Sequence, residues 1–217
     1  MKSVLLVLCI FAGTSGAEQL PKTMLKLEVI LQSPDVPAGS FASKPKVMYR
    51  AGKQYCRTEE APDPEQGIHG LVIINEPDYW MVNLLAKTAQ HGVDPGPTFN
   101  CRMPMFADGA LKSPSDDESK QIMELEFGLE FEFFKSKGAT PQQGPVLQTK
   151  PTMVYRVEIG KAGLALFTYG SPERPLAVAR KRGEKNDIYW YSGYGQLDFN
   201  PKLFAKPENV KMEELKP

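Results

Sequence analysis

Beyond its first twenty residues the chain is a succession of short runs in which apolar and polar side chains alternate, the mark of strands with one dry and one wet face. Residues 25–29, Leu-Lys-Leu-Glu-Val, alternate strictly and predict a first strand. Residues 46–50 and 53–59 predict a hairpin-like pair broken at Ala51-Gly52. Residues 71–75 and 79–85 predict a second, broken at Glu76-Pro77-Asp78, where Pro presets φ and Asp bonds its own backbone. A further strand is expected over 88–93, after which the chain breaks at Asp94-Pro95-Gly96-Pro97. Four more runs, 152–159, 163–169, 176–180 and 187–194, are separated by stretches rich in turn residues or charge. Their connections are too short for parallel crossovers, so the pattern predicts an antiparallel meander.

Two periods compete between residues 115 and 137. Ser115-Asp116-Asp117-Glu118 has the form of a capping box, and Lys135, Lys137 and Gly138 form a helix stop. Against them, Leu125, Phe127, Leu129, Phe131 and Phe133 alternate with Glu124, Glu126, Gly128, Glu130 and Glu132 at strand period. Some twenty residues would make an unusually long strand, so the prediction is one helix, its carboxylates forming a solvated face. The proline-rich stretch 95–114 before it reads as a long irregular loop. Leu203 and Phe204 are expected to dock a closing turn on the core. Together these elements predict an α+β fold: a large, curved, antiparallel sheet, an incomplete barrel, with a helix and loops over its concave face.

The first seventeen residues change the compartment rather than the fold. Lys2, an apolar core over 4–12 and Ser15-Gly16-Ala17 predict a secretory signal peptide, leaving 18–217 as one domain. The apolar run is too short for a transmembrane anchor. With Cys9 removed, Cys56 and Cys101 remain in an oxidising compartment and are expected to form a disulfide. Lys and Arg total 26 and Asp and Glu total 26, a balance without the basic footprint that nucleic acid requires. No Asn-x-Ser/Thr site occurs. The expected location is the periplasm or the medium.

Candidate chemistry is sparse. His91 and Asp94 lie close in sequence and define a hydrolase reading, but no nucleophile motif accompanies them. The two histidines, His69 and His91, lack metal-ligand spacing, and no phosphate-binding glycine loop is present, so neither cofactor nor metal is expected. The aromatic residues offer more. Trp80, Val82 and Leu84 share one face of the run over 79–85 and, with Trp190, are the candidate lining of an apolar ligand site in the hollow of the sheet. The opposite face, Tyr79, Met81 and Leu85, is the alternative lining.

Gly52-Lys53, Arg57-Thr58-Glu59, the strand-turn-strand over 71–80 ending in Trp80, Asn83 with Lys87-Thr88, and Leu203-Phe204 with Pro207 and Val210 together resemble the periplasmic lipoprotein-carrier (LolA/LolB-like) superfamily. The resemblance spans most of the chain in short pieces. It implies an incomplete, highly curved barrel with a helical lid, enclosing a hydrophobic cavity that holds lipoprotein acyl chains or another apolar ligand. The expectation drawn from the chain as a whole is a non-enzymatic exported protein, with an envelope protein as a further partner. The resemblance also implies an arginine on an early strand that latches the lid: Arg57 is the nearest match and Arg50 the second. The chain departs from the family in its cysteine pair, its proline-rich loop, and the insertion-like segment 139–150. A non-enzymatic interaction module with a self-filled core is the competing expectation.

Overall fold

The computed structural model describes residues 20–37, 43–93, 101, 117–122 and 124–213. The expected signal peptide, Asp94, the loop over 95–114 apart from Cys101, and the capping residues Ser115 and Asp116 lie outside them. Among the described residues, twelve strands form one sheet. They are β1 (Thr23–Gln32), β2 (Lys46–Ala51), β3 (Tyr55–Glu60), β4 (Gly70–Asn75), β5 (Asp78–Asn83) and β6 (Thr88–Val93). After the helical segment come β7 (Gln142–Leu147), β8 (Lys150–Ile159), β9 (Ala162–Tyr169), β10 (Arg174–Arg182), β11 (Lys185–Asp198) and β12 (Lys211–Glu213).

The strand order is β12-β6-β5-β4-β3-β2-β1-β11-β10-β9-β8-β7, so the sheet has two edges and does not close. A meander of β2 to β6 and another of β7 to β11 meet on β1, which pairs antiparallel with both β2 and β11. Every pairing is antiparallel except that of β12, which lies parallel to β6 with Lys211 opposite Thr88. The antiparallel sheet and its hairpins follow the periodicity of the sequence. Two strands do not: β7, in the segment read as an insertion, is mixed in polarity and largely exposed, and β12 is three exposed residues. Neither carries the alternation that marks a half-buried strand.

Alternation divides the sheet into two faces. The inner face carries Leu27, Val29, Met48, Cys56, Ile74, Tyr155, Val157, Leu164, Leu166, Val178, Tyr189 and Tyr191, all in one cluster. Trp80, Val82, Leu71, Ile73 and Ala89 form a separate cluster on the other face, joined by Leu84 and Val210. A third cluster lies where the tail returns: Met24, Ala51 and Phe204 are buried there, with Tyr49, Tyr55, Phe199 and Leu203 around them. Phe204 ends a 3-10 turn, Pro201–Phe204, whose first turn is capped by the Asn200 side chain accepting from the Lys202 amide. The closing turn is thus as the sequence predicts.

The single helix expected over 115–137 is not formed. Two short helices stand in its place, α1 (Asp117–Ile122) and α2 (Glu130–Ser136), separated by turns around an isolated bridge at Glu126. Gly128 breaks the helix: its φ of +83° is left-handed backbone. The predicted stop does end α2, with Lys137 at the C-cap and Gly138 at φ +81°. The carboxylates are not one solvated face either. Glu124 and Glu132 are exposed, whereas Glu126 and Glu130 are buried at 7% and 0% exposure, because neither period runs through Gly128.

Candidate functional site

Residues 124–139 lie against the inner face as a covering segment. Leu125, Phe127, Phe133 and Phe134 are buried in the same cluster as the sheet residues, with Ile122 of α1, while Phe131 and Ala139 pack at its margin. Phe127 meets Tyr189 edge-on at 5.2 Å and Tyr191 at 6.4 Å, and Phe131 meets Tyr155 at 5.9 Å. Such aromatic pairs add about 0.5–1.5 kcal/mol each beyond the area they bury.

Arg50 meets this segment at Glu126 and Phe127. Strand β2 points Lys46, Met48 and Arg50 to the inner face, and the register puts Arg50 between Leu25 of β1 and Cys56 of β3. Arg50 is 4% exposed, and its guanidinium donates two hydrogen bonds and forms one ion pair. Nε donates to the Gly52 carbonyl at 2.9 Å, and a terminal nitrogen donates to the Phe127 carbonyl at 2.9 Å. The other terminal nitrogen stands 2.6 Å from Glu126 Oε2. A guanidinium keeps its charge in any protein environment, so it is stable beneath an apolar segment only while such acceptors surround it.

The clasp is reinforced beside Arg50. Cys56, its cross-strand neighbour, forms the expected disulfide with Cys101, with Cα atoms 5.8 Å apart. The Cys101 carbonyl in turn accepts from the Phe127 amide at 2.7 Å. Three polar links, two from Arg50 and one from Cys101, therefore converge on Glu126 and Phe127, and the disulfide ties Cys101 to β3.

Glu130 adds a further buried polar group. One oxygen accepts from the Tyr191 hydroxyl at 2.6 Å and from the Gly128 amide at 2.7 Å, and the other has no hydrogen-bond partner among the described residues. Complete burial raises its pKa above 4.5, an effect the Tyr191 and Gly128 hydrogen bonds and the Arg50 charge only partly oppose. The neighbouring tyrosines are held neutral: burial and Glu130 push Tyr191 well up, and Tyr194 to about 12. Beside the clasp a cleft of about 170 Å³ opens to solvent, lined by Leu25, Arg50, Gly128, Leu129 and Gln196 among others.

The residues singled out from sequence are not brought together here. Trp80 and Val82 are buried on the opposite face, Leu84 is half-buried beside them, and Trp80 stacks on His91. Trp190 also lies on that opposite face, between the inward Tyr189 and Tyr191, and donates to Gln32 Oε1 at 2.9 Å. Four strands separate it from Trp80. Of the alternative lining, Tyr79 packs against the main cluster, while Met81 and Leu85 are exposed. Arg57 points away from the covering segment, since it follows the inward Cys56; it donates to the Leu203 carbonyl and pairs with Glu59, holding the tail. His91 faces solvent and pairs at 2.6 Å with Asp78 across the hairpin. Glu126 and Glu130 are the site residues that sequence reading placed on a solvated face; the clash of two periods at Gly128 was the available signal.

Among the described residues no group of His, Cys, Asp or Glu is arranged to hold a metal ion, and no helix is long and apolar enough to cross a membrane. No family model and no curated protein matches the chain. Solved structures similar to it include an uncharacterized conserved protein from Thermus thermophilus, at 12% identity and a TM-score of 0.46, over 90% of this chain and 92% of that one. Another is a LolA superfamily protein from Nitrosomonas europaea, at 10% identity and a TM-score of 0.33, over 86% of this chain and 90% of that one. Both likenesses are coarse, and the chain's own residues have to carry any functional reading.

Proposed function

We propose that this is an exported envelope protein that binds an apolar ligand, an acyl chain of a lipid or lipoprotein, between the inner face of the sheet and the covering segment, and that it acts without catalysis. The observation that carries the reading is the Arg50 clasp. A segment meant only to complete a core is held best by hydrocarbon; replacing a buried ion pair with apolar groups is often neutral or stabilising. Here a guanidinium and a carboxylate are buried within the contact between segment and sheet. Such a contact is specific when closed and has hydratable groups when open. Beneath it lies an apolar face already shaped for flat, extended side chains, and each methylene buried there contributes about 0.8 kcal/mol. In this reading Arg50, not Arg57, is the latch, and Phe127, Phe133 and Phe134 hold the place of the ligand.

A second reading has its own observation in favour. The same three phenylalanines fill the inner face as a core does, which suits an interaction module that binds a protein partner elsewhere. Native mass spectrometry of the mature protein from a detergent-free periplasmic extract, followed by solvent extraction, separates the two. An added mass that extracts as acyl lipid supports the carrier. A clean unliganded mass, with no uptake of an added fatty-acid probe, leaves the interaction module.

A further inference from the structure

The counter-charges of the inner face differ in where they are anchored. Lys46 has Glu60 opposite it on β3, 4.0 Å away, and Arg180 stands in register with Asp187 of β11. Both of those carboxylates belong to the sheet and stay with it. The carboxylate on Arg50 belongs to Glu126, and the carbonyl beside it to Phe127; both sit on the covering segment. Glu130, whose carboxyl also feels the Arg50 charge, sits there as well and is buried beneath Tyr191. When the segment is displaced, Arg50 loses its carboxylate and, among the described residues, keeps the Gly52 carbonyl.

A ligand that is hydrocarbon throughout would then lie over a guanidinium with no counter-charge, an arrangement strongly disfavoured in an apolar setting. A ligand ending in a carboxylate restores what the segment took away, with the fork geometry that suits arginine. The geometry points to a single-chain carboxylic acid as the preferred ligand, its head replacing Glu126 on Arg50 and its chain running over the inner face in place of Phe127. The open cleft beside Leu25, Gly128 and Leu129 gives a small anionic head a wet approach to the guanidinium. This inference rests on the proposed ligand-binding reading and adds to it the chemistry of the head group.

The test compares laurate with dodecanol, equal chains that differ in the head, by titration against the intact mature protein below their aggregation limits. Laurate is expected to bind about tenfold tighter or better, the scale of one charge-assisted hydrogen bond. Arg50→Met should remove most of that preference, read as the ratio of the two affinities whatever the change in dodecanol binding itself. Glu126→Gln keeps the shape of the clasp and loses the competing charge, so it should tighten laurate; it also serves if Arg50→Met fails to fold. Equal affinity of the two probes in the unaltered protein would overturn the head-group assignment while leaving the ligand-binding reading intact. A preference that survives Arg50→Met and disappears in Lys46→Gln would overturn the choice of Arg50. Binding of neither probe would overturn the ligand-binding reading itself, and this inference with it.

Discussion

The two faces of the sheet are packed by different means. The outer face is closed by what lies next to it in the fold: Trp80 and Val82 against Leu71, Ile73 and Ala89 of neighbouring strands, and Phe204 stacked on Phe199 and tilted against Tyr55. Its polar links, such as Arg57 to Glu59 and to the Leu203 carbonyl, are partly exposed. The inner face is closed by a separate segment, and that contact buries Arg50, Glu126 and Glu130. In the proposed reading, burial of charge separates a permanent core from a contact that parts. Hydrocarbon and partly exposed polar links hold the first, while the second carries buried groups that water or a ligand would satisfy after opening.

Paired substitutions sharpen this contrast most. Arg50→Ala leaves Glu126 buried without its partner and should cost about 3–5 kcal/mol. Trp80→Ala, on the outer face, should cost a similar amount, about 3–5 kcal/mol by urea unfolding, through the cavity it leaves. Only the first should change the affinity for an apolar probe; an equal change in both would erase the distinction between the faces. Next in size is the disulfide. Replacing Cys56 and Cys101 by alanine opens a loop of 45 residues, which should cost about 2–4 kcal/mol, measured as a lowered unfolding midpoint. Gly128→Ala forces a left-handed residue and brings its Cβ to 3.0 Å from Arg50 Cδ; it should cost about 1–2 kcal/mol.

A pH series tests the buried acid. Glu130 is protonated in the folded protein over a range in which it ionises once unfolded, because burial raises its folded pKa. Its contribution is therefore complete below the ordinary glutamate range and is lost as pH rises through the folded value. Unfolding midpoints of the unaltered protein should fall across that window relative to Glu130→Gln; parallel curves would show that Glu130 is charged when folded. The smallest effect is expected on the outer hairpin. His91→Ala breaks an exposed pair with Asp78 and should change stability by only about 0–1 kcal/mol, measured by the same unfolding.

Much of the fold was legible because strand alternation is a local signal. The strands β1 to β6 and β8 to β11 appear where alternation and turn residues place them, but β7 and β12 are exposed edge strands with no dry face to leave a pattern. The covering segment was not legible as one element, since the caps announce a helix and the alternation a strand, and Gly128 lets each govern only a part. The site was half legible. Cys56 and Arg57 are adjacent and must point to opposite faces, so once Cys56 is tied to the covering side, Arg57 belongs to the other and Arg50 becomes the inward arginine. That step needs the register of β2 on β3, in which Arg50 faces Cys56. Glu126 and Glu130 were hidden for a different reason. A carboxylate's burial depends on a partner, and theirs are remote in sequence: Arg50 on β2 for the first, and Tyr191, 61 residues on, for the second.

The claim that most needs testing is that the covering segment is displaced by ligand while the sheet stays in place. Hydrogen exchange of the mature protein, followed by peptide with and without saturating laurate, reads both at once. The account predicts faster exchange in peptides spanning 124–137, with β9 to β11 unchanged or better protected. Bound laurate with no change in that segment would contradict it.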